Sequence, residues 1–314
     1  MGLRWGLLST AKINGAILGG AALTDAAEVV AVASRDAARA EAYAAEHGIA
    51  RAHGSYEALL ADPEVDAIYN PLPNSLHVEW SVKALQAGKH VLCEKPLTRR
   101  AADAEAAFDA AERADRVLME AFMWRFLPQT ARLRALLDEG AIGRVRAIRS
   151  SFSFPLARPD DIRFDPALDG GALMDVGTYC VSGSRLVAGA EPVAVEGVQV
   201  LGGKGVDIAF AGTLRFPDDV LAQFDCGFAH AQRHDLEAVG EDGTLHLADP
   251  WHGREPVIVL RQGDEVSRIE CEQADPYALE LEAFAAGAPL LGREDAVSQA
   301  RVIEALYASA EGKA

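Results

Sequence analysis

The sequence predicts an α/β protein with two domains: a Rossmann domain with a parallel sheet, then an α+β domain with a large, mostly antiparallel open sheet. The first third of the chain alternates short β-branched runs with alanine-rich helical stretches, which is typical of βαβ units. After residue 121 several strand-like runs follow one another, separated by turn signals. The chain has 314 residues, of which 50% are hydrophobic, and is long enough for two cores. We therefore predict domains at residues 1–121 and 122–314.

Hydrophobic periodicity and end signals define the elements of the first domain. Gly48 and Gly88 come directly after the last periodic residues of two helices, where glycine commonly ends a helix. The predicted strands cover residues 4–8, 29–33, 67–69, 90–93 and 117–119. The predicted helices cover residues 12–22, 37–47, 55–60, 75–87 and 99–113.

The second domain begins with a predicted helix at 129–139 and a strand at 145–154. A loop rich in proline and aspartate follows at 155–171, and then a helix at 174–187. Strand-like runs between 193 and 269 are separated by Pro-Asp-Asp and Glu-Asp-Gly turns, which indicates an antiparallel sheet. These runs include residues 206–216, 220–228, 235–239 and 257–260. Two helices, at 276–286 and 293–310, close the predicted domain.

Charge and composition exclude several classes of function. The net charge of -17 and the pI near 4.9 provide no basic field for a phosphate backbone, so we expect no nucleic-acid partner. We find neither a secretory signal nor a segment of membrane-spanning length. The cysteines lie far apart and fit reduced thiols in a cytoplasmic protein. They are Cys93, Cys180, Cys226 and Cys271.

We expect no metal site. His230 and His234 are four residues apart, but the surrounding sequence is typical of strand and turn. Histidines at that spacing converge on a metal when they lie on a helix, and not when they lie on a strand.

The first strand-to-helix turn is a candidate phosphate-binding segment. In a dinucleotide-binding fingerprint its glycines would fall on Ser9, Ala11 and Asn14, and none of these is glycine. Alanine is the smallest available substitute, serine and threonine hydroxyls donate to phosphate, and the helix N-terminus attracts anions. The candidate cofactor-binding residues here are Ser9, Thr10, Ala11, Lys12 and Ile13. An ordinary strand-to-helix loop is the alternative.

The end of the second strand favours NADP over NAD, with NAD still possible. Ser34 and Arg35 stand where an NAD enzyme usually has an acidic residue for the ribose 2′-hydroxyl. A guanidinium offers planar, forked donors to a 2′-phosphate. Asp36 weakens this interpretation, and a solvated Arg35 at the start of the next helix is the alternative.

Glu94, Lys95 and Pro96 directly follow the apolar run 91–93 at the carboxyl end of a predicted parallel strand. Open α/β sheets bind ligands at that edge. Desolvating Lys95 costs several kcal/mol in order of magnitude unless a partner or ligand compensates its charge, so Lys95 is a functional candidate. The alternative is a charged surface turn closed by proline.

Three segments together resemble the glucose-fructose oxidoreductase and inositol dehydrogenase family. They read NPLPNSLH at 70–77, EKP at 94–96 and GGALMDVGTY at 170–179. Trp5-Gly6, the segment MEAFMWRF at 119–126 and the tyrosine at 179 look like the branch that contains dihydrodiol dehydrogenases and aldose 1-dehydrogenases. The resemblance spans nearly the whole chain.

The resemblance implies an NAD(P)-dependent oxidoreductase that acts on a sugar or cyclic diol, with an aldose 1-dehydrogenase as the first candidate. It implies a substrate bound between the two domains, and a homodimer or homotetramer formed through the second sheet. It places Arg163 and Trp124 at the substrate. Along the cofactor it places Pro71, Leu72, Asn74, His77, Glu94, Lys95, Trp124 and Arg125. Arg163 is equally well explained as a surface arginine, Asn74 as a helix N-cap and His77 as an interface residue.

Asp175 and Tyr179 are the candidate partners of Lys95 in catalysis. Four residues apart on a helix, their side chains share a face. A lysine ammonium within about 4 to 6 Å would lower the pKa of a tyrosine from about 10 toward working pH. The hypothesis is that Tyr179 takes the substrate hydroxyl proton, Lys95 stabilises the oxyanion, and Asp175 positions Lys95 or a sugar hydroxyl. A helix-capping Asp175 and a core Tyr179 are the alternatives.

Two other functions stay open on this sequence. One is an enzyme that keeps its cofactor tightly bound and passes hydride between two sugars. The other is a regulator that senses NADP without catalysis, although such a protein has no need of the set Lys95, Asp175 and Tyr179.

Overall fold

The computed structural model describes residues 2–287 and 290–312, and it divides into two compact units. The first unit comprises Met1–Met123 and Asp275–Val297, and the second comprises Trp124–Ala274 and Ser298–Ala314. The sequence division assigned all of 122–314 to the second domain. In the structure the segment Asp275–Val297 packs with the first unit instead, because its helix lies against the first helix of the chain.

The first unit contains a six-stranded sheet in the order β3-β2-β1-β4-β5-β6, with every neighbouring pair parallel. This is the order of a dinucleotide-binding Rossmann sheet, and it places the carboxyl ends of all six strands at one edge. The strands are β1 (Leu3–Leu8), β2 (Ala27–Ala33), β3 (Arg51–His53), β4 (Ala67–Asn70), β5 (His90–Glu94) and β6 (Leu118–Ala121). Sequence analysis did not predict β3, which is short, half-buried and without a β-branched residue.

Local capping signals define several helices of this unit. Asp36 caps α2, its carboxylate accepting the Arg39 N–H at 3.2 Å, and Gly48 ends the helix with a φ of 68°. The helices are α1 (Asn14–Ala21), α2 (Ala37–His47), α3 (Tyr56–Leu60), α4 (His77–Gln86), α5 (Ala101–Ala114) and α8 (Pro276–Ala285). A side chain at Gly20 would meet the backbone of Ala278 within 2.7 Å, so this glycine permits the close contact of α1 with α8.

The second unit contains an eight-stranded sheet in the order β14-β13-β12-β11-β7-β10-β9-β8. Only β7 and β10 pair in parallel, and the other neighbours are antiparallel. The strands are β7 (Val145–Ser153), β8 (Ala194–Leu201), β9 (Asp207–Arg215), β10 (Leu221–Gly227), β11 (Arg233–Gly240), β12 (Thr244–Leu247), β13 (Val257–Gln262) and β14 (Glu265–Glu270). The predicted fold class is confirmed.

One helix of the second unit lies against the middle of its sheet. The helices are α6 (Pro128–Asp138), α7 (Thr178–Ala188) and α9 (Arg293–Ala310), which begins in the first unit. Every residue of α7 from Thr178 to Val187 is buried. Gly183 lets α7 approach the loop after β12 closely, because a side chain there would meet the Trp251 ring within 2.8 Å. Within the described residues, no helix combines the length and the hydropathy needed to cross a bilayer.

Candidate active site

The turn after β1 has the backbone geometry and the free donors of a phosphate-binding turn. Ser9 adopts a φ of 112°, a conformation that favours glycine, at the first glycine position of the fingerprint. Its Oγ is buried and has no hydrogen-bond partner among the described residues. No acceptor in the described part of the chain takes the N–H groups of Ala11, Lys12 or Ile13. The predicted turn therefore fits a pyrophosphate at the start of α1.

The turn after β2 fits a 2′-phosphate better than a free ribose hydroxyl. Asp36, the residue that weakened the NADP prediction, uses its carboxylate to cap α2, and its own N–H donates to the Ser34 Oγ at 3.2 Å. Arg35 and Arg39 are exposed, and both guanidinium groups lie near the phenol of Tyr56. Burial raises the pKa of Tyr56, and the two arginines oppose that rise. Arg39 adds a second guanidinium that sequence analysis did not select.

His77 links two loops at the carboxyl edge of the first sheet. It is buried at the start of α4, with Nδ1 2.8 Å from the Pro96 carbonyl oxygen and Nε2 2.7 Å from the Leu72 carbonyl oxygen. Burial lowers the pKa of His77 to about 4, so the ring is neutral at pH 7 and donates to only one of these carbonyls. Asn70, also buried, donates to the His77 carbonyl at 3.0 Å. His77 thus links the loops after β4 and β5 within the first unit, and its predicted contact with the cofactor stays a prediction.

In the neighbouring segment 71–76, the residue that caps α4 differs from the predicted one. Leu76, without a side-chain cap, is the N-cap of α4, and Asn74 begins a short 3-10 turn instead. Asn74 is therefore not the helix cap that sequence analysis considered. Pro71 and Leu72 are buried in the loop after β4, and Leu72 N–H donates to the Asn70 Oδ1 at 3.3 Å.

Lys95 follows the end of β5, where Glu94 is held by a buried tyrosine. The Tyr69 hydroxyl donates to Glu94 Oε1 at 2.6 Å, and Lys95 N–H donates to Glu94 Oε2 at 3.3 Å. Burial and the Glu94 charge raise the pKa of Tyr69 well above its ordinary value, so it remains a hydroxyl donor. On the other side of the turn, the buried Glu120 accepts the Leu97 N–H at 2.7 Å. The charged turn is therefore held at the sheet edge, where Glu94 and Lys95 are half-buried, and the functional role of Lys95 stays a prediction.

In the second unit, Tyr179 lies in an aromatic surrounding on the first turn of α7. It is 8% exposed, and its ring centroid lies 5.2 Å from that of Phe152 and 5.8 Å from that of Trp251. Trp251 in turn packs edge-on against Trp124 at 5.1 Å. Sequence analysis did not select Trp251. No local pattern marks Trp251, because it reaches Tyr179 from a loop more than 70 residues away in the chain.

Asp175 lies on a π-helical segment, Leu173–Gly177, that runs into α7. The predicted continuous helix over 174–187 is wrong here, and the α-helical stacking argument does not apply to Asp175 and Tyr179, because their spacing crosses the junction. The capping alternative for Asp175 is also wrong, since Ala172 is the N-cap. Short π segments inside helices occur often at functional sites.

Arg163 contacts Asp175 directly. Arg163 Nε donates to Asp175 Oδ2 at 2.6 Å, and its NH1 donates to Asp161 Oδ1 at 3.2 Å. The charges of Asp175 and then Asp161 raise the pKa of Arg163 further, against the effect of burial. Two residues that sequence analysis placed separately at the substrate therefore form one ion pair.

The double glycine fixes the geometry of that ion pair. A side chain at Gly170 would collide with the Arg163 carbonyl, and Gly171 N–H donates to the same carbonyl at 2.9 Å. Gly171 has a φ of 133°, and a side chain there would collide with Asp207 Oδ1. Buried Asp207 accepts the Leu173 N–H at 2.7 Å at the start of the π segment. Sequence analysis did not identify Asp207, which comes from β9.

Trp124 and Arg125 lie together at the start of the second unit. Trp124 is buried, and its Nε1 has no hydrogen-bond partner in the described part of the chain. The Arg125 guanidinium carbon lies 5.6 Å from the centroid of the Trp124 ring, and its NH1 donates to the Ser182 Oγ of α7 at 3.3 Å. Their predicted contacts with nicotinamide and substrate stay predictions.

His234 lies beside Asp249 and His252, and the candidate ligand atoms of the three residues are within 4.8 Å of one another. The prediction of no metal site rested on the spacing of histidines along the chain. It did not consider that the loop after β12 brings Asp249 and His252 to His234 on β11.

Comparisons with known proteins match both parts of the chain. Residues 14–122 match the model described as "Oxidoreductase family, NAD-binding Rossmann fold", and residues 130–246 match the GFO/IDH/MocA C-terminal domain. The chain is 41% identical to D-xylose 1-dehydrogenase (NADP(+)) 2 of Haloferax volcanii over 98% of each protein. It is 35% identical to trans-1,2-dihydrobenzene-1,2-diol dehydrogenase of Homo sapiens, over 82% of this chain and 78% of that protein.

A solved structure is similar over nearly the whole chain. It is a 3-ketoreductase from Actinomadura kijaniata in complex with NADP and TDP-benzene, with a TM-score of 0.93 at 33% identity and 98% of each chain covered. A Rossmann sheet, a mostly antiparallel second sheet and two matching family models define an NAD(P)-dependent oxidoreductase. The chain belongs to the GFO/IDH/MocA oxidoreductase family.

Proposed function

We propose that this oxidoreductase transfers hydride between NADP and a sugar or related cyclic diol, with an aldose oxidised at its anomeric carbon as the first candidate. The observation that carries the proposal is the complete set Lys95, Asp175 and Tyr179 in a chain 41% identical to a D-xylose 1-dehydrogenase (NADP(+)). Asp175 and Asp161 take one N–H each from Nε and NH1 of Arg163, and the other guanidinium donors suit hydroxyls of such a substrate.

The surroundings of the cofactor residues support NADP. The Ser9 hydroxyl and the N–H groups of residues 11–13 would hold the pyrophosphate, and Arg35 would bind the 2′-phosphate. Because Asp36 caps α2, it is not disposed as the acidic partner of a free ribose hydroxyl. When bound, the nicotinamide supplies the acceptor or donor of hydride.

The chain's own residues would move the proton and stabilise charge. Tyr179 Oη takes the proton of the substrate hydroxyl in oxidation and returns it in reduction. The Lys95 ammonium stabilises the phenolate and the developing alkoxide. Phe152 and Trp251 hold the Tyr179 ring and limit water around it. Asp175 positions Arg163 through their ion pair, and the expectation that it positions Lys95 or a sugar hydroxyl stays a prediction.

We further propose a cytoplasmic homodimer or homotetramer formed through the open face of the second sheet. Val198, Val200 and Leu221 are exposed on β8 and β10, near one edge of that sheet. Exposed apolar side chains grouped on a sheet face suit an interface. Four free cysteines without a disulfide among the described residues suit a reducing compartment.

A substrate panel with matched variants tests the proposal. Aldoses and cyclic diols are assayed with NADP by NADPH absorbance. We expect Lys95→Ala and Tyr179→Phe each to lower kcat about 10² to 10⁴-fold, as loss of general acid–base catalysis does. Lys83→Ala and Tyr277→Phe, which change the same residue types outside the proposed set, should retain activity. Nearly wild-type kcat in either test variant would refute its assigned role.

The double variant Lys95→Ala/Tyr179→Phe tests whether the two residues act on the same substrate oxygen. When two residues act as a unit, the loss of kcat in the double variant is far smaller than the product of the two single losses. We therefore expect kcat of the double variant to be close to that of the weaker single variant. If the loss of kcat in the double variant equals the product of the two single losses, the two residues act separately.

The other two functions give distinct outcomes in the same panel. No turnover with any sugar or diol, together with tight NADPH binding, identifies the non-catalytic sensor. Cofactor that persists through extensive dialysis identifies the enzyme that passes hydride between two sugars.

A further inference from the structure

Three potential metal ligands meet in the second unit, apart from the residues proposed for catalysis. His234 lies on β11, and Asp249 and His252 lie in the loop after β12. His234 Nδ1 is 3.6 Å from Asp249 Oδ1, and His252 Nδ1 is 3.4 Å from the same oxygen. The three side chains are largely buried, with exposed fractions of 12%, 12% and 27% in the order of their numbers.

The loop that carries two of the ligands is firmly held. The Gln129 amide donates to the Asp249 carbonyl at 2.9 Å and to the Pro250 carbonyl at 3.1 Å. Arg254 N–H donates to Asp249 Oδ2 at 3.0 Å, which leaves Oδ1 directed at the two imidazoles. The geometry of the group therefore does not depend on a loosely placed surface loop.

The neighbouring aromatic side chains hold the two imidazole rings. Phe152, which pairs with His234 across β7 and β11, packs edge-on against His234 at 4.8 Å and against His252 at 5.7 Å. The two imidazole centroids are 5.1 Å apart. Packing that fixes ligand orientation lowers the entropic cost of binding an ion.

Two of the candidate ligand atoms make no hydrogen bond among the described residues. Asp249 Oδ1 and His252 Nδ1 are buried and make no hydrogen bond with any residue that the structure describes. Leaving a buried acceptor unsatisfied costs about 1–3 kcal/mol. The two atoms face each other at 3.4 Å, which suits two ligands of one ion.

The distances match a small four-coordinate ion. With bonds of about 2.0 to 2.1 Å to nitrogen and oxygen, neighbouring ligand atoms of a tetrahedral site lie about 3.4 Å apart. Both nitrogen-to-oxygen distances here, 3.4 and 3.6 Å, are near this value. Two imidazoles and one carboxylate suit divalent transition metals and disfavour Mg²⁺ or Ca²⁺.

We propose that His234, Asp249 and His252 bind one divalent transition-metal ion, Zn²⁺ in the first instance, with a water molecule at the fourth position. The ion would tie the loop 248–254 to β11. Because Trp251 in this loop packs against Tyr179, the ion would also stabilise the aromatic surrounding of the candidate catalytic tyrosine. Metal binding itself does not depend on the proposed function.

The test is a Zn²⁺ titration of the full chain after removal of metals by a chelator. A chromophoric chelator competes for the ion, and Co²⁺ reports the coordination number through its visible absorption. The variants are His234→Gln, His252→Gln and Asp249→Asn. The matched control is His246→Gln, because His246 also faces an aspartate, Asp235 at 3.1 Å, on the same sheet.

We expect one Zn²⁺ per chain and a four-coordinate Co²⁺ spectrum. Each ligand variant should lose at least about tenfold in affinity, since even residues that only orient a ligand cost 10 to 100-fold. The control should bind as the wild type does, and Zn²⁺ should raise the Tm of the wild type and the control only. Circular dichroism of the metal-free variants verifies that they are folded.

Two results would overturn the proposal. One is the absence of stoichiometric Zn²⁺ binding by the folded wild type. The other is binding that survives in folded His234→Gln and His252→Gln with unchanged affinity, because the ion would then be held elsewhere.

Discussion

Ser9 combines a glycine-like backbone with a side chain that suits a phosphate. Its φ of 112° costs of the order of 1–3 kcal/mol for a residue other than glycine. The family fingerprint relieves this strain with glycine, whereas this chain keeps a hydroxyl that has no other partner among the described residues. Ser9 therefore makes the fold less stable than glycine would, and it supplies a hydrogen-bond donor for a phosphate.

We expect Ser9→Gly to raise the free energy of unfolding by about 1 kcal/mol, because relief of backbone strain exceeds the entropic cost of glycine. Its KM for NADP should rise at the same time, since the hydroxyl is lost. Ser9→Ala is the control, which loses the hydroxyl and keeps the strain. Denaturant unfolding measures the stabilities, and equal stability of the two variants would contradict the argument.

Arg35 is the residue on which cofactor preference should depend. A hydrogen bond to a charged group contributes about 1.5–3 kcal/mol, so Arg35→Ala should raise KM for NADP about tenfold or more. KM for NAD, which lacks the 2′-phosphate, should change little. Arg134→Ala, an exposed arginine on α6, serves as the control. Equal effects on NADP and NAD would show that Arg35 does not bind the phosphate.

At the scale of elements, α8 carries a buried acid into the first unit. Glu280 is fully buried, and both its carboxyl oxygens lack hydrogen-bond partners among the described residues. Burial, and then the nearby Glu94 charge, raise the pKa of Glu280 well above its ordinary 4.5. The folded state therefore holds a proton that the unfolded state releases above about pH 5.

This linkage makes the protein less stable as pH rises through the folded-state pKa of Glu280. We expect Glu280→Gln to remove that pH dependence and to raise the free energy of unfolding at pH 8 by about 1 kcal/mol or more. Glu282→Gln, on an exposed position of the same helix, should change it little. Urea unfolding at pH 5 and pH 8 measures the free energy of unfolding of the wild type and both variants. If Glu280→Gln is less stable than the wild type at pH 8, the Glu280 carboxylate has a stabilising partner in the folded state, which would contradict the prediction.

The elements also differ in how well local sequence predicted them. Helix α2 was predicted at its observed bounds, because the Asp36 cap and Gly48 are both local signals. The π segment Leu173–Gly177 was not predicted, because its start depends on Asp207 from β9. Strand β3 was missed because its stability comes from pairing with β2 and not from its own composition.

At the scale of the whole molecule, the open face of the second sheet combines polar and apolar regions. Its centre carries ion pairs such as Arg233 with Asp225 at 2.7 Å, while Val198 and Val200 are 72% and 57% exposed on the edge strand β8. We expect light scattering to give at least a dimer. Val198→Lys/Val200→Lys should weaken that dimer strongly by placing charge in an apolar contact.

Leu23→Lys is the control for the sheet variant. Leu23 is 67% exposed and lies in the first unit, so its substitution should leave the oligomeric state unchanged. A wild type that is monomeric at the highest concentration tested would refute assembly through this face.

The sequence by itself determined the fold class, the strand edge that carries Lys95, and the candidate set Lys95, Asp175 and Tyr179. The fold class and the strand edge follow from periodicity and turn signals, and the candidate set follows from short motifs together with the family resemblance that they carry. Only the tertiary structure decided that Arg163 pairs with Asp175, that Trp251 packs against Tyr179, and that His234 meets Asp249 and His252. The physical reason is that side-chain contacts between distant segments depend on strand register and loop paths, which no local pattern specifies.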